Sequence, residues 1–433
     1  MSENGGIRRY VSTREAAFIG VGSMVGAGIF SLLGTAGEVA GNAVWLSFVL
    51  AGVIAALQGY SFARLGARYP SAGGLLEYVN RGYGDGHIAT ALAWLVFWTN
   101  AIVTAMVASS FGSYAASAFG ITDAAAVKAF AALIVVVMTA LNIAGSTFVA
   151  KVQSVIVFVV VGILALFSVV TLLNINPELL SPSIWPPAQD IFSSVALTFF
   201  AFLGFGIVTF TARDLREPSK QLPQAMTIAI GIAAVVYIAV SLGVFGTLTV
   251  PQVIAAGPTA IAEAAKPVLG ALGFWLMTVT ALFATSGATN AGLYPAIGLT
   301  DHLVSTGQFP PIMARRYASG RVQMGLLLSA VAILVLVLGK DLSAIASIGS
   351  AVALLVFCMV TIGHLRIRAD TNGNLVILLL ALATAGIALV TFVVTTLIKE
   401  PASVVTIVLI VALSVALDFG WAWQKNRTAA TPA

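Results

Sequence analysis

The sequence predicts an all-α integral membrane protein with twelve membrane-spanning helices. Of its 433 residues, 59% are hydrophobic and only 9% are charged, and the mean hydropathy is +1.02. A soluble globular domain carries about 25% charged residues, so this chain has too much apolar sequence to fold in water. Lysine and arginine also concentrate in alternate connections between apolar runs, which is typical of multi-pass membrane proteins.

Twelve apolar runs have the length that crosses a bilayer, since a hydrocarbon core of ~30 Å needs about 20 residues of helix. Runs 3 and 8 are long enough to tilt or to extend beyond the bilayer. In chain order, the predicted limits are 16–38, 41–63, 87–118, 125–145, 151–173, 191–212, 224–247, 268–300, 322–339, 343–364, 374–397 and 402–423.

The distribution of positive charge predicts the orientation. With the N-terminus inside, the outer loops hold only four of the 21 lysines and arginines, and the other 17 fall in inner segments. The four are Lys128, Lys266, Lys340 and Lys399. The positive-inside rule therefore predicts a multi-pass protein of the cell (inner) membrane with both termini in the cytoplasm.

Two outer connections are longer than the others. Residues 174–190, between runs 5 and 6, are rich in proline, and residues 250–267 lie between runs 7 and 8. The second connection is moderately apolar, and two interpretations stay open for it: an ordinary connector, or short helices that lie on the outer face.

Run 1 contains "GVGSMVGAGIF", with Gly20, Gly22, Gly26 and Gly28. Each glycine weakens a helix by roughly 1 kcal/mol relative to alanine. Run 6, five runs later, contains "FFAFLGFGIVTF" with two further glycines. Glycine-interrupted spans at corresponding positions of two halves indicate the binding site of a transporter. Small-residue helix packing is the competing interpretation. A dinucleotide fingerprint does not fit, because no strand precedes the glycines.

Broken helices also provide polarity that the side chains do not. No Asp, Glu, Lys, Arg or His lies near the centre of any run. The N–H groups that begin a helix attract an anion, and the C=O groups that end one attract a cation. Two facing breaks can therefore bind a zwitterion such as an amino acid.

Other classes of function receive less support. A polyamine or other organic-cation carrier needs acidic side chains in its site, and the centres of the apolar runs have none. A channel usually has charged rings or a repeated filter motif, and the sequence shows neither. The sequence has no H-E-x-x-H and no G-x-S-x-G, so we predict no catalytic residues and no enzyme activity.

Four stretches of the sequence resemble motifs of the amino acid–polyamine–organocation superfamily. Among its members, the chain is most similar in form to the compact prokaryotic permeases. "GVGSMVGAGIF" resembles the first-helix motif G-x-x-x-G-[SA]-G-[IV]-F of that superfamily. The others are "ARLGARYPSAGGLLEYV" after run 2, "FFAFLGFGIVTFTARDLREPSKQLPQA" in and after run 6, and "FATSGATNAGLYPAIGLTDHLVSTGQFPPIMAR" in and after run 8.

The resemblance implies the leucine-transporter-type fold, a 5+5 inverted repeat followed by two helices. The implied divisions are an N-terminal tail (1–15), the first repeat (16–173), the second repeat (191–368), the last two helices (374–423) and a C-terminal tail (424–433). The expected function is secondary active transport of a small, neutral amino acid by alternating access, coupled to an ion. The expected partners are the amino acid and lipid, with no nucleic acid, and the protein is expected to be a monomer or a homodimer.

The resemblance also implies site residues. The carboxylate of the substrate would meet backbone N–H groups of Gly26, Ala27 and Gly28. The amino group of the substrate would meet carbonyls near Met24, Phe200, Ala201 and Leu203. Side-chain selectivity would come from Phe200, Phe202, Phe205, Thr104 and Gly292.

The implied coupling ion is Na⁺ or H⁺, with no other cofactor. A sodium site would use carbonyls of Gly22 and Val25 with hydroxyls of Thr285 and Ser286, unless these hydroxyls bond back to their own helix. Some proton-coupled members carry a lysine in the fifth span, where this chain has Val160. Arg213 and Asp214 are expected to form an inner gate, or else to be solvated charges that only fix the topology.

Overall fold

The computed structural model describes residues 10–71, 73–84, 86–144, 147–317, 322–396, 398 and 400–430. Residues 1–9 and 431–433 of the predicted tails, and Lys399 of the predicted outer loops, lie outside the described residues.

The chain is almost entirely helical. The α-helices are α1 (Thr13–Ala27), α2 (Ile29–Ala40), α3 (Val44–Arg68), α4 (Leu75–Tyr83), α5 (His87–Ala118), α6 (Ala124–Ala144), α7 (Thr147–Leu173), α8 (Ala188–Phe200), α9 (Phe205–Val208), α10 (Pro218–Phe245), α11 (Val250–Ala256), α12 (Ala260–Ser305), α13 (Met324–Gly339), α14 (Leu342–Arg366), α15 (Arg368–Thr371), α16 (Leu375–Thr395) and α17 (Pro401–Ala430). Short 3₁₀ helices cover Gly41–Ala43, Pro177–Leu180, Pro182–Ile184, Thr209–Asp214, Gly257–Thr259 and Pro311–Ala314. Two short strands, β1 (Arg316–Tyr317) and β2 (Val322–Gln323), pair antiparallel.

The predicted fold class, all-α and membrane-spanning, is confirmed. Every predicted run coincides with helix, and ten segments of the described chain are long and apolar enough to cross a bilayer. One of these, Ile29–Arg68, joins the end of run 1 to run 2, while α13 at run 9 has only 16 residues. Twelve crossings and the two inverted repeats therefore stay predictions.

Local sequence signals explain where the helices begin. Ser12 and Glu15 form a capping box, in which each side chain bonds the other residue's backbone N–H. Asp341 caps α14 through the amide of Ala344 at 2.8 Å, and Pro218 begins α10, where its missing N–H has no cost. These caps satisfy amide donors that a helix start leaves without partners.

The outer connection before run 8 is helical, as one of its two interpretations predicted. It contains α11 and the first turns of α12, so the helix of run 8 begins at Ala260 and not at residue 268. The chain bends at Gly270, whose φ of 65° belongs to the left-handed region that favours glycine. Gly270 therefore sets the bend within α12.

The centre of the molecule is formed by α1, α3, α5, α8, α9, α10, α12 and α14, which pack against one another. In α14, 83% of the most apolar 18-residue stretch is buried. The buried share of the corresponding stretch is 22% in both α6 and α17. The glycine-interrupted run 6 is also mostly buried. Both interrupted runs therefore lie mostly in the protein interior, while α6 and α17 leave most of their surface exposed.

Candidate functional site

The interruption of run 1 is one residue wide. Helix α1 ends at Ala27 and α2 begins at Ile29, with Gly28 between them in a right-handed conformation (φ −89°, ψ −71°). The Gly28 N–H donates to the Met24 carbonyl at 2.7 Å, and the Gly28 carbonyl accepts from Leu32 N–H at 3.0 Å. Ile29 and Phe30 are the first two residues of α2.

This geometry moves the expected amide donors along the chain. The predicted donors were Gly26, Ala27 and Gly28, but the first two lie inside α1 and the third already bonds Met24. The amides that begin α2 belong to Ile29 and Phe30. A helix start of this kind carries a partial positive charge and two N–H groups for an anion.

The interruption of run 6 is a tight turn over residues 201–204 between α8 and α9. Its amides bond three residues back: Ala201 to Thr198 at 3.2 Å, Phe202 to Phe199 at 2.9 Å and Leu203 to Phe200 at 3.3 Å. The carbonyl of Ala201 is engaged differently, because it accepts the side-chain hydroxyl of Tyr237 at 2.9 Å. It is therefore the carbonyl of this turn that a ligand can compete for.

The two interruptions touch each other through glycine. An alanine Cβ at position 28 would lie 2.6 Å from the Ala201 oxygen, and one at position 204 would lie 2.5 Å from the Met24 nitrogen. Real Cβ atoms do not approach other atoms so closely. The glycines thus allow the backbones of runs 1 and 6 to meet. The structure is a closed arrangement in which these backbones fill the space between the breaks.

Tyr237 of α10 completes this contact, and the sequence analysis did not identify it. Its side chain is fully buried, its hydroxyl lies against Gly28, and its ring packs on Phe48 and Phe202 with centroids 5.4 and 4.9 Å away. The hydroxyl therefore lies between the start of α2 and the Ala201 carbonyl. A single tyrosine in the middle of an apolar run was the available signal.

The three predicted selectivity phenylalanines point in different directions. Phe200 packs toward α5 and α14, where its ring fills a notch over Gly349 beside Ile102. Phe202 packs on Tyr237. Phe205 lies 5.5 Å, between centroids, from both Phe62 and Phe357. Of the three, Phe200 is the ring that lies between α5 and α14.

Other predicted residues are placed in helix contacts. Thr104 and Gly292 do meet, because a Cβ on Gly292 would collide with the Thr104 side chain. The Asn100 amide donates to the Gly292 carbonyl at 2.9 Å, which holds α5 against α12. Gly26 faces α12 as well, where its Cβ would lie 2.8 Å from the Ala284 oxygen. Met24 and Leu203 are both buried.

Two of the four expected sodium ligands, Gly22 and Val25, line a very small cavity, whereas Thr285 and Ser286 do not. A cavity of about 10 Å³ is lined by Gly22, Val25, Gly26, Ile156, Val157, Val160 and Ala284. Thr285 donates its hydroxyl to Ala281 and Ser286 to Leu282, both at 2.6 Å, so each bonds to its own helix. Na⁺ needs several oxygen ligands, and the side chains that line this cavity are aliphatic. The sodium site therefore stays a prediction, and Val160, the position where some proton-coupled members carry a lysine, also lines this cavity.

The inner end of run 6 is linked to the N-terminal segment through the main chain. Val11 N–H donates to the Asp214 carbonyl at 2.8 Å, and Val11 forms a parallel bridge with Leu215. The expected gate pair, Arg213 and Asp214, is looser: the charged atoms lie 4.0 Å apart, and the side chains are 60% and 49% exposed. Such exposed pairs contribute about 0–1 kcal/mol.

The loop after run 2 lies between run 6 and run 8. Gly73 packs against the imidazole of His302, while Gly74, with φ of 49°, packs against Thr209 and Phe210. Tyr78 of α4 is fully buried nearby, and this burial raises the pKa of Tyr78, so its hydroxyl stays protonated. The resemblance had pointed to this glycine pair, and the structure gives it a packing role.

Comparison with known proteins identifies the family of this chain. A family model described as "Amino acid permease" matches residues 11–418. The inner membrane transport protein YbaT of Escherichia coli is 32% identical over 377 residues, which are 87% of each chain. The protein MJ0609 of Methanocaldococcus jannaschii is 33% identical over 84% of each chain, and the methylthioribose transporter of Bacillus subtilis is 27% identical over 73% of this chain.

The family consists of transporters and not of enzymes, and its transmembrane character matches the apolar helices described above. The match also covers both interrupted runs. On these grounds, the chain belongs to the amino acid permease family of the amino acid–polyamine–organocation superfamily, and it transports amino acids or related substrates across a membrane.

Proposed function

We propose that the protein is a secondary active transporter that carries a small, neutral amino acid by alternating access. The observation that carries this proposal is the contact between two interrupted helices in the buried core, where Gly28 meets Ala201 and Gly204 meets Met24. A carrier needs its polar binding groups at such depth, and non-helical backbone is tolerated there only when it is buried or lines a cavity.

The backbone supplies one group for each end of a zwitterion. The amides of Ile29 and Phe30 at the start of α2 suit a carboxylate, because the helix dipole and two N–H donors favour an anion there. The Ala201 carbonyl suits an ammonium group. Tyr237 now donates to that carbonyl, so the substrate ammonium replaces the tyrosine hydroxyl when the site opens.

A neutral substrate is favoured by the charges of the core. Among the described buried residues, the acidic, basic and histidine side chains are His364 and Asp418 alone. His364 bonds Ser61 and Thr371, and Asp418 pairs with His87. Neither pair involves a residue of the two breaks. A charged substrate side chain would therefore lack a counter-charge, at a cost of several kcal/mol.

The test is counterflow in proteoliposomes, preceded by a thermal-shift screen of the twenty amino acids. We expect a small or apolar amino acid to raise the melting temperature, and the same compound inside the vesicles to accelerate entry of labelled substrate. Lysine or arginine as the best ligand would contradict the neutral site. Uptake without any acceleration from the opposite side would contradict a carrier.

Coupling to Na⁺ is a separate prediction from the sequence. If Na⁺ drives uptake, replacing it by choline should abolish accumulation, and the double variant Thr285→Ala/Ser286→Ala should accumulate substrate equally in both salts. Parent protein that accumulates substrate in choline medium would rule out this coupling without affecting the proposed substrate site.

A further inference from the structure

Three arginines lie on the rings of three tyrosines where α3 and α14 end on the predicted inner side. Their Cζ atoms lie over the ring centroids as follows: Arg64 over Tyr60 at 5.4 Å, Arg68 over Tyr69 at 5.9 Å and Arg366 over Tyr83 at 4.6 Å. We propose that this arginine–tyrosine cluster binds the phosphate headgroup of an anionic phospholipid from the inner leaflet.

Contacts between the elements hold the cluster together. Ser61 bonds His364 at 2.7 Å, which places the inner ends of α3 and α14 side by side. Tyr69 donates its hydroxyl to Asp370 at 3.1 Å, so the segment after α14 also packs on the end of α3. Tyr83 of α4 donates to the Met359 carbonyl of α14 at 2.7 Å. The tyrosines are therefore fixed platforms.

A guanidinium that stacks on an aromatic ring keeps its in-plane N–H groups available. The stacking contributes about 0.5–1 kcal/mol at exposed sites and restricts a flexible side chain. The N–H groups at the edge form a planar fork that matches a phosphate in a bidentate way. The cluster thus presents three arginines, each held near a fixed ring, whose N–H groups can meet phosphate oxygens.

The charges of the cluster are not balanced by the protein. Among the described ion pairs, none involves Arg64, Arg68 or Arg366. The nearby carboxylate of Glu77 pairs with Arg81, which itself lies over Tyr69. Asp370, which accepts the Tyr69 hydroxyl, is the other acidic neighbour. Arginine is therefore in excess at a position where span ends meet the polar surface.

The neighbouring helix identifies the phosphate as part of a lipid. The Tyr60 hydroxyl accepts from Asn374 N–H at 2.9 Å, immediately before α16 begins. From that point, α16 exposes Leu375, Val376 and Leu379 by 42%, 63% and 48%. An aliphatic surface therefore continues from the cluster along α16. This surface suits the acyl chains of a lipid, whereas it would contribute nothing to the binding of a soluble phosphate.

Native mass spectrometry of the full-length protein with phosphatidylglycerol and phosphatidylcholine tests the proposal. We expect preferential retention of phosphatidylglycerol. The double variant Arg64→Gln/Arg366→Gln should bind it roughly 25-fold more weakly, since each interfacial arginine contributes about fivefold. The matched control is Arg213→Gln/Arg216→Gln, which removes the same charge from the inner loop after run 6 and should bind like the parent.

Two further experiments refine the test. The first distinguishes binding of a lipid from binding of a soluble phosphate, and the second distinguishes the effect of guanidinium geometry from that of positive charge. Glycerol 3-phosphate should not compete with phosphatidylglycerol, because it lacks acyl chains. Arg64→Lys/Arg366→Lys keeps the charge and the fold but loses the planar forks, so it should lose most of the preference. Equal loss in the control variant, or competition by glycerol 3-phosphate, would overturn the proposal. The readout is lipid retention, so it does not depend on the proposed transport function.

Discussion

Glycine 28 is the residue on which the contact between runs 1 and 6 depends most directly. Its missing side chain leaves room for the Ala201 carbonyl and the Tyr237 hydroxyl, and no larger residue fits without separating the two runs. This position is predictable from the sequence, because four glycines in one apolar run contradict helix propensity and therefore need a structural reason.

We expect Gly28→Ala to reduce uptake to near background, because a methyl group there would displace the Ala201 carbonyl. The matched control is Gly231→Ala on α10, where no atom within 4 Å opposes a Cβ. The control should transport normally and gain up to about 1 kcal/mol in helix stability. Uptake rates and melting temperatures in the same lipid measure both effects. Normal uptake by Gly28→Ala would contradict the role of the contact.

Tyr237→Phe removes one hydroxyl and leaves the Ala201 carbonyl without a partner. A buried acceptor that loses its bond costs about 1–3 kcal/mol, so the substrate-free protein should melt at a lower temperature. Substrate restores a donor to that carbonyl, so the rise in melting temperature on adding substrate should be larger than in the parent. An equal rise in both proteins would show that the substrate does not bind at this carbonyl.

Some site residues could not be predicted from the sequence. Tyr237 lies in an otherwise apolar run, and only the fold shows that its hydroxyl reaches the break of another run. Phe202 and Phe205 were predicted as selectivity residues with Phe200, but a tight turn rotates successive side chains to different neighbours. The sequence reveals that such rings are close in the chain and does not reveal where each one points.

At the scale of elements, the positions of the runs were predictable because apolar length and composition decide them. The form of each break was not predictable. Run 1 is interrupted at one residue in a right-handed conformation, and run 6 forms a turn closed by bonds three residues back. Glycine content indicates that a helix is weak, whereas the contacts of the neighbouring helices decide how it breaks.

The bridge between Val11 and Leu215 ties the start of run 1 to the end of run 6. Alternating access requires inner ends of the core helices to separate, so a covalent link here should stop transport. Bridge partners lie about 5 Å apart, within disulfide range. In a Cys358→Ser background, we expect oxidation of Val11→Cys/Leu215→Cys to abolish uptake and a reductant to restore it. Each single cysteine variant is the control and should keep its activity when oxidised.

Continued uptake after complete cross-linking of the pair would show that this junction stays closed throughout the cycle. The inner opening would then have to form elsewhere, for example where Gly73 and Gly74 separate run 6 from run 8. The outcome therefore distinguishes two places for the inner gate and leaves the proposed substrate unaffected.

At the scale of the whole molecule, composition alone indicated a membrane protein, and the order of four motifs indicated the family. The distribution of lysine and arginine predicts that both termini lie inside. Cysteine labelling in intact cells measures this orientation. In a Cys358→Ser background, Ser183→Cys should react with an impermeant maleimide, since the exposed 182–184 segment is predicted to lie outside.

The control position is Lys220→Cys, whose lysine side chain is 76% exposed on the opposite predicted face. It should react only after the membrane is permeabilised. The reverse pattern at both positions would invert the topology and would move the arginine–tyrosine cluster to the outer leaflet.

The contact between the two breaks is made of peptide groups, which every sequence possesses. In the proposed site, the side chains around the two breaks can therefore change while the peptide groups that would hold the α-amino and α-carboxyl groups remain. Mutation should therefore readily change which cargo is accepted, through notches such as the one at Gly349. One scaffold can then carry different substrates, provided that glycines such as Gly28 and Gly204 still let the backbones of runs 1 and 6 meet.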